Sequence, residues 1–243
     1  MQYLDAHCHL EHPKLAETLP TILKRMRTAQ TACVTHGTNA DTNAKTLELK
    51  KQNPDVVFAA CGLDAFHAAN ETLDAHMAFL EAHVNELSAV GEIGLDQHYF
   101  KPQDLARQKE VFQAQLKFAE QHGLSVVIHT RAAVQKVLDL LPSYRCTKVL
   151  HFFLEKKFAP DALDQGCFLS LPTVQSKDRT WIAQNAPLEQ LLCETDSPYG
   201  WKEGLNEPSN VKEAYEFIAK TRNIDLKDAH HQILKNAKTV FKL

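Results

Sequence analysis

Short apolar runs alternate with longer amphipathic stretches along this whole chain, and that alternation restricts the fold more than any single residue does. Strands are expected near Tyr3–His9, Ala32–Gly37, Val56–Gly62, Ser88–Gly94, Ser125–His129, Lys148–Phe152, Cys167–Leu171 and Leu191–Thr195. Helical patterns lie between them. One covers Leu105–His122, with Pro102 just ahead of its start and Gly123 suited to its end. Another runs through Ala132–Leu141 and stops at Pro142. Strand–helix alternation implies an α/β protein with a parallel sheet. About eight such units point to a closed (β/α)8 TIM barrel with outer helices. An open doubly wound sheet usually carries a Gly-rich phosphate turn after its first strand, whereas here that turn reads His-Cys-His-Leu-Glu. No Ser/Gly-rich linker or low-complexity segment divides the chain, so residues 1–243 are expected to form a single domain.

Composition agrees with that frame. A chain of 243 residues, 44% hydrophobic, suits one large core. With 27 Lys and Arg against 30 Asp and Glu the net charge is −3, so no global basic field marks a nucleic-acid binder. Six cysteines are scattered without a Cys-x-x-Cys pair, mostly in apolar runs, and are expected to be reduced core residues. No charged segment precedes the first strand and no apolar run is long enough to cross a bilayer. The expectation is a cytoplasmic protein with no membrane contact and no obligate protein partner.

In a (β/α) barrel the active site sits at the carboxyl ends of the strands. The first strand supplies His7 and His9, which alternation places on one face, with Ala6 and Cys8 on the other. The fourth ends Val90-Gly91-Glu92-Ile93-Gly94-Leu95-Asp96, with Glu92 among glycines that would leave room above the barrel mouth. The fifth ends in His129-Thr130-Arg131, the sixth in His151, and the eighth in Glu194-Thr195-Asp196. Four imidazoles and several carboxylates thus converge on one rim although they are far apart in sequence.

Six ligands exceed the needs of one tetrahedral zinc and fit two divalent ions joined by a carboxylate. Glu92 is the expected bridge, because its two oxygens can serve different ions. His7, His9 and Asp196 would complete one site, and His129 with His151 the other. Asp196 is also placed to take a proton from water as a general base. Imidazoles favour zinc, manganese or iron, while the carboxylates would also take manganese or magnesium. The chemistry is that of ester or phosphodiester hydrolysis.

Asp5-Ala6-His7-Cys8-His9-Leu10, Gly91-Glu92-Ile93-Gly94-Leu95-Asp96, His129-Thr130-Arg131, Glu194-Thr195-Asp196-Ser197-Pro198-Tyr199 and Asn206-Glu207-Pro208-Ser209-Asn210-Val211 together resemble the TatD-related metal-dependent DNase family. The resemblance covers essentially the whole chain. It implies membership of the amidohydrolase superfamily of barrels, a divalent-metal-dependent hydrolase, and deoxyribonuclease activity with DNA as substrate. It assigns the same ligand roles to the same six residues. Two stretches depart from the family pattern. Gly62-Leu63-Asp64-Ala65-Phe66 stands where a His-Pro pair is usual, and His151-Phe152-Phe153-Leu154-Glu155 stands where His is usually followed by Cys or Gly and then Phe-Ser-Gly. Both change the pocket lining and keep the ligands. They keep open a rival activity, ester or amide cleavage on a small molecule or an aminoacyl-tRNA. A non-catalytic metal-binding scaffold would show a lost ligand, and none is lost.

Other rim residues have two readings each. Arg131 either holds a phosphate by a bidentate contact or pairs with a rim carboxylate. Glu194 either orients a ligand histidine or makes a buried ion pair, and Asp5 is expected deeper on the face of His7 and His9 as their support. Cys8 is expected to pack outward rather than act as a nucleophile. Aromatic and basic residues mix in the expected rim loops: His98-Tyr99-Phe100-Lys101, Phe152 and Phe153 with Lys156 and Lys157, Lys177 with Arg179, and Tyr199 with Trp201-Lys202. Such a mix suits single-stranded nucleic acid. His230-His231 is expected on the surface or in the core, away from any metal.

Overall fold

The computed structural model describes residues 1–201 and 204–243. Eight parallel strands pair in chain order in one sheet: β1 (Tyr3–Cys8), β2 (Thr31–Gly37), β3 (Val57–Cys61), β4 (Ala89–Gly94), β5 (Ser125–His129), β6 (Lys148–Leu150), β7 (Phe168–Pro172) and β8 (Leu191–Glu194). Around them run α1 (Leu19–Thr28), α2 (Ala40–Gln52), α3 (Leu73–His83), α4 (Leu105–His122), α5 (Val134–Leu140), α6 (Ala159–Asp164), α7 (Lys177–Asn185), α8 (Lys212–Arg222) and α9 (Leu226–Phe241). The sheet curls into a nearly closed TIM barrel. Helix α4 has the expected limits, closed by Gly123 at φ 62°, a left-handed conformation that glycine adopts without a Cβ clash. Helix α5 is shorter than expected. Ala132 is itself left-handed (φ 54°), so the helix starts at Val134, and its end tightens into a 3-10 turn, Leu141–Ser143, around Pro142. Among the described residues no helix is long and apolar enough to cross a membrane.

The barrel interior is filled by small and branched residues from seven strands, among them Leu4, Ala6, Val34, Ala89, Val127 and Leu192. Helix α9 adds Ala237, Val240 and Phe241 to that interior, next to Phe58 and Phe168 near the strand starts. On the helix side, Cys8 packs with Ile22, Met26 and Cys33. All six cysteines are buried and unpaired.

Two strands break their alternation where it matters. From Asp5 to Cys8, β1 advances three residues while β2 advances two, from Cys33 to Thr35. From Val90 to Ile93, β4 likewise advances three residues against two in β5, from Val126 to Ile128. Each extra residue is a bulge that switches the phase of the strand. Ala6 and Cys8, expected on one face, therefore lie on opposite sides: Ala6 in the interior, Cys8 against the helices. In β1 the switch lets His7 face inward directly after Ala6. In β4 it does the same for Glu92 after Gly91.

The seam between β1 and β8 is closed partly by backbone and partly by side chains. Near the rim, Asp196 N–H donates to His7 O at 2.9 Å and His9 N–H to Ser197 O at 2.7 Å. Deeper, the Asp5 carboxylate accepts from Thr195 N (2.8 Å) and Thr195 Oγ1. Asp5 thus ties β8 to β1, and its Oδ1 also accepts from His7 N–H at 3.3 Å, so it supports that histidine through the main chain rather than through its ring. Deeper still, the Tyr215 hydroxyl of α8 accepts from Leu4 N at 3.3 Å and donates to Leu4 O at 3.1 Å, standing in for the missing strand partner. Tyr215→Phe would strand two buried backbone groups, and a loss of about 1–3 kcal/mol is expected. Urea unfolding should show it, with metal content unchanged.

Candidate metal centre

The six expected donors meet at the carboxyl end of the barrel. The Nε2 atoms of His7 and His9 are 3.2 Å apart. Glu92 Oε2 lies 3.4 Å from His7 Nε2 and 3.5 Å from His9 Nε2, while Asp196 Oδ1 lies 3.7 and 3.5 Å from the same two atoms. The other carboxylate oxygen, Glu92 Oε1, is 3.0 Å from His129 Nδ1 and 3.1 Å from His151 Nε2, and those two nitrogens are 3.3 Å apart. Two donor sets therefore share one carboxylate. All of the donors are largely buried, Asp196 least.

These spacings suit metal ligation. A zinc ion with bonds of about 2.0–2.1 Å needs tetrahedral donors separated by about 3.3–3.4 Å. His7 and His9 lie 3.2–3.7 Å from each other, from Glu92 Oε2 and from Asp196 Oδ1, close to that separation. Glu92, His129 and His151 form a triangle with edges of 3.0, 3.1 and 3.3 Å. His7 also stacks on His151 with ring centroids 4.0 Å apart, which keeps the sets adjacent.

Local folding explains how each donor is aimed. Asp196 follows β8 in a left-handed conformation (φ 54°), held by its N–H on His7 O and by Tyr199 N–H on its own carbonyl at 2.8 Å. Gly91 is needed for crowding rather than for room at the mouth. A Cβ there would lie 2.8 Å from Val127 Cβ and 3.1 Å from His36 Cδ2. Gly94, at φ 139°, likewise has His129 backbone against it. The glycines let β4 press onto its neighbours.

The tautomers follow from the outer partners. His129 Nε2 donates to Asp96 Oδ2 at 2.9 Å, so Nδ1 offers its lone pair to the cluster. Asp96 Oδ1 in turn accepts from the N–H groups of His98 and Tyr99 at 2.8 and 2.9 Å. Sequence reasoning gave Asp96 no role, although an acidic residue just past a strand and before a tight turn is a recognisable signal. His9 Nδ1 donates to His36 O at 2.8 Å, with Glu11 Oε1 at 3.4 Å, which leaves Nε2 for the cluster. Glu194 Oε1 lies 3.5 Å from His151 Nδ1 and accepts from Phe152 N–H at 2.6 Å.

Burial raises the cost of ionising Glu92, yet His151, His129 and His7 around it hold the carboxyl well below the usual range. Burial and the neighbouring His151 keep His7 neutral. Burial also disfavours charge on His129, but its bonds to Asp96 and Glu92 outweigh this and push it up to about 9. His129 must therefore release a proton before it can bind an ion. Metal affinity is expected to strengthen as pH rises toward 9, with protons released on binding. Calorimetry in buffers of different ionisation enthalpy checks this.

A cavity of about 1010 Å³ opens over the cluster, lined by Arg131, Phe66, Tyr99, Phe152, Glu155 and Tyr199 among others. Arg131 is exposed at its edge, its guanidinium 4.7 Å from the Tyr99 ring centroid. Of the expected rim residues, Tyr99, Phe152, Phe153 and Tyr199 line this cavity, whereas Arg179 does not. Arg179 is fully buried, paired with Glu213 at 2.7 Å and stacked over Phe217, so it serves the packing of α7 on α8. Phe153 borders the cavity but is 1% exposed and packs in the core. Lys202 falls outside the described residues. His231 is exposed and His230 bonds Gln2 O, both apart from the cluster.

The sequence model of the family described as TatD related DNase matches residues 4–242. The chain is similar to an uncharacterized metal-dependent hydrolase of Methanocaldococcus jannaschii, with 27% identity covering 100% of this chain and 98% of the relative. It is 26% identical to the human protein named Deoxyribonuclease TATDN3, across 98% of this chain and 94% of that one. Its fold is similar to that of YjjV, a TatD homologue from Escherichia coli, with a TM-score of 0.89 and 24% identity, covering 100% and 98% of the two chains. The family match takes in all six donors, and two groups among them, His7 with Glu92 and His151 and His7 with His9 and Asp196, could hold metal. The chain thus belongs to the TatD related DNase family and is a metal-dependent hydrolase.

Proposed function

We propose that residues 1–243 act as one hydrolase domain that cleaves phosphodiester bonds in DNA with two divalent ions, zinc, manganese or magnesium. The carrying observation is the split of Glu92, one oxygen facing His7, His9 and Asp196 and the other facing His129 and His151. Two ions in those sets would acidify water and stabilise the attacking and leaving oxygens. Glu92 holds the two sets together, and Asp96 and the His36 carbonyl fix the imidazoles that complete them. Asp196 takes the proton from the nucleophilic water, since one of its oxygens suffices as ligand. Arg131, at the cavity edge, clamps a non-bridging phosphate oxygen. The family name and that of TATDN3 support DNA as the substrate.

The test uses metal-free protein resupplied with each ion and offered single-stranded DNA, with Glu92→Gln protein, purified identically, as the blank. Metal-dependent cleavage abolished by chelator is expected. Arg131→Ala should raise KM for DNA about 10- to 100-fold, as expected for a charged hydrogen bond of about 1.5–3 kcal/mol, and leave metal content intact. The placement of Glu155 and Leu154 in the cavity favours one rival, an esterase or amidase acting on a small molecule or aminoacyl-tRNA. If wild type and blank degrade DNA equally while only wild type hydrolyses a small or aminoacyl ester, the rival replaces the nuclease.

A further inference from the structure

Two exposed aromatic groups flank the donor cluster, one beside each donor set. Phe66, 40% exposed, lies 6.1 Å from His129 between ring centroids and 5.6 Å from Tyr99, which is 58% exposed and carries Arg131 over its ring. Tyr199, 45% exposed, is bonded through its N–H to Asp196 O, and its hydroxyl is 3.0 Å from His12 Nε2. The Lys14 ammonium sits 5.2 Å from its ring centroid. Each tyrosine ring thus carries a cation, the arrangement in which an aromatic surface and a charge together hold a base and its phosphate.

The charges around them argue against a long polyanion. Among the described residues that line the cavity, Arg131 is the one Lys or Arg, against five carboxylates: Glu11, Asp64, Glu92, Glu155 and Asp196. Glu92 and Asp196 are committed to the cluster. Glu11 and Asp64 lie against histidines, Glu11 Oε1 at 3.4 Å from His9 and Asp64 Oδ1 at 2.7 Å from His67. A backbone tracked phosphate by phosphate needs a row of cations, and the lining does not supply one.

We propose that Phe66 with Tyr99 on one side, and Tyr199 on the other, are two nucleobase platforms. The substrate is then a single strand gripped by the two bases that flank one phosphodiester. This rests on the phosphodiesterase reading and adds how the substrate is chosen. In a duplex both faces of an internal base are covered by its stacked neighbours, so two adjacent bases can lie on separate platforms only where the strand is splayed open. A duplex is excluded. Because only one linkage is gripped, chain length beyond two nucleotides adds little.

Dithymidylate, its analogues abasic on either side, single-stranded dodecathymidylate and a 12-base-pair duplex test this, with binding by calorimetry and turnover in the same metal. Dithymidylate and the dodecamer should agree in kcat/KM per end within about threefold, with KM rising with salt at a log–log slope near that of about one or two phosphate contacts. Tyr99→Ala and Tyr199→Ala should each weaken dithymidylate about 5- to 100-fold. Each effect should vanish when the nucleotide on that side is abasic, and Tyr99→Trp and Tyr199→Phe should restore binding. If dithymidylate binds with this dependence but is not cut, the platforms stand and the nuclease reading falls. If it is cut and neither alanine variant matters, or the dodecamer or duplex is preferred tenfold or more, the platforms fall and the nuclease reading stands. If the wild type neither binds nor cuts dithymidylate, the platforms fall.

Discussion

Glu92→Gln protein should fold, retain at most one tightly held divalent ion in place of two, and lose hydrolysis by about 10²- to 10⁴-fold. Gln keeps the volume of Glu but offers one weak oxygen donor and an NH₂ that presents hydrogens. Glu92 Oε1 and Oε2 face different donor sets, so the amide disables one set outright and weakens the other. The rate estimate follows from the several kcal/mol that bound ions contribute to transition-state stabilisation, at about 1.4 kcal/mol per tenfold. Elemental analysis beside activity gives both numbers. A variant with full metal content and full rate would show that the bridge is not needed.

Asp196→Asn should behave differently. One oxygen remains to face His7 and His9, so metal content should fall less than in Glu92→Gln. The lost function is proton transfer, which general-base catalysis sets at about 10²- to 10⁴-fold in kcat. KM should change little, because the interaction is made in the transition state. Single-turnover kinetics at saturating metal separates the two. A kcat near wild type would move the base role to another group.

The barrel and the donors were readable from sequence for physical reasons. Strands buried on both faces read as continuous apolar runs, and the chemistry of such barrels gathers at the strand ends. So His129 and His151 could be placed from Val127-Ile128 and Val149-Leu150 alone. Alternation was a poorer guide in β1 and β4. It aligned His7 with His9, yet it mislocated Ala6 and Asp5, because a one-residue bulge leaves no composition signal while turning every later side chain over. The closure by Tyr215 on Leu4 joins residues 211 apart in sequence, beyond any local pattern. Arg179 looked like a rim cation because position along the chain does not reveal Glu213, the partner that allows its charge to be buried. Asp96 was missed because its role is set by the ring of His129, which comes 33 residues later.

The most direct test of the account is a crystal structure grown with manganese, with data collected to give an anomalous difference map. Two peaks about 3.5–4 Å apart, one on each side of the Glu92 carboxylate, are expected. One should be ligated by His7, His9 and Asp196 and the other by His129 and His151. A single peak at full occupancy, or a second peak away from Glu92, would contradict the two-ion centre.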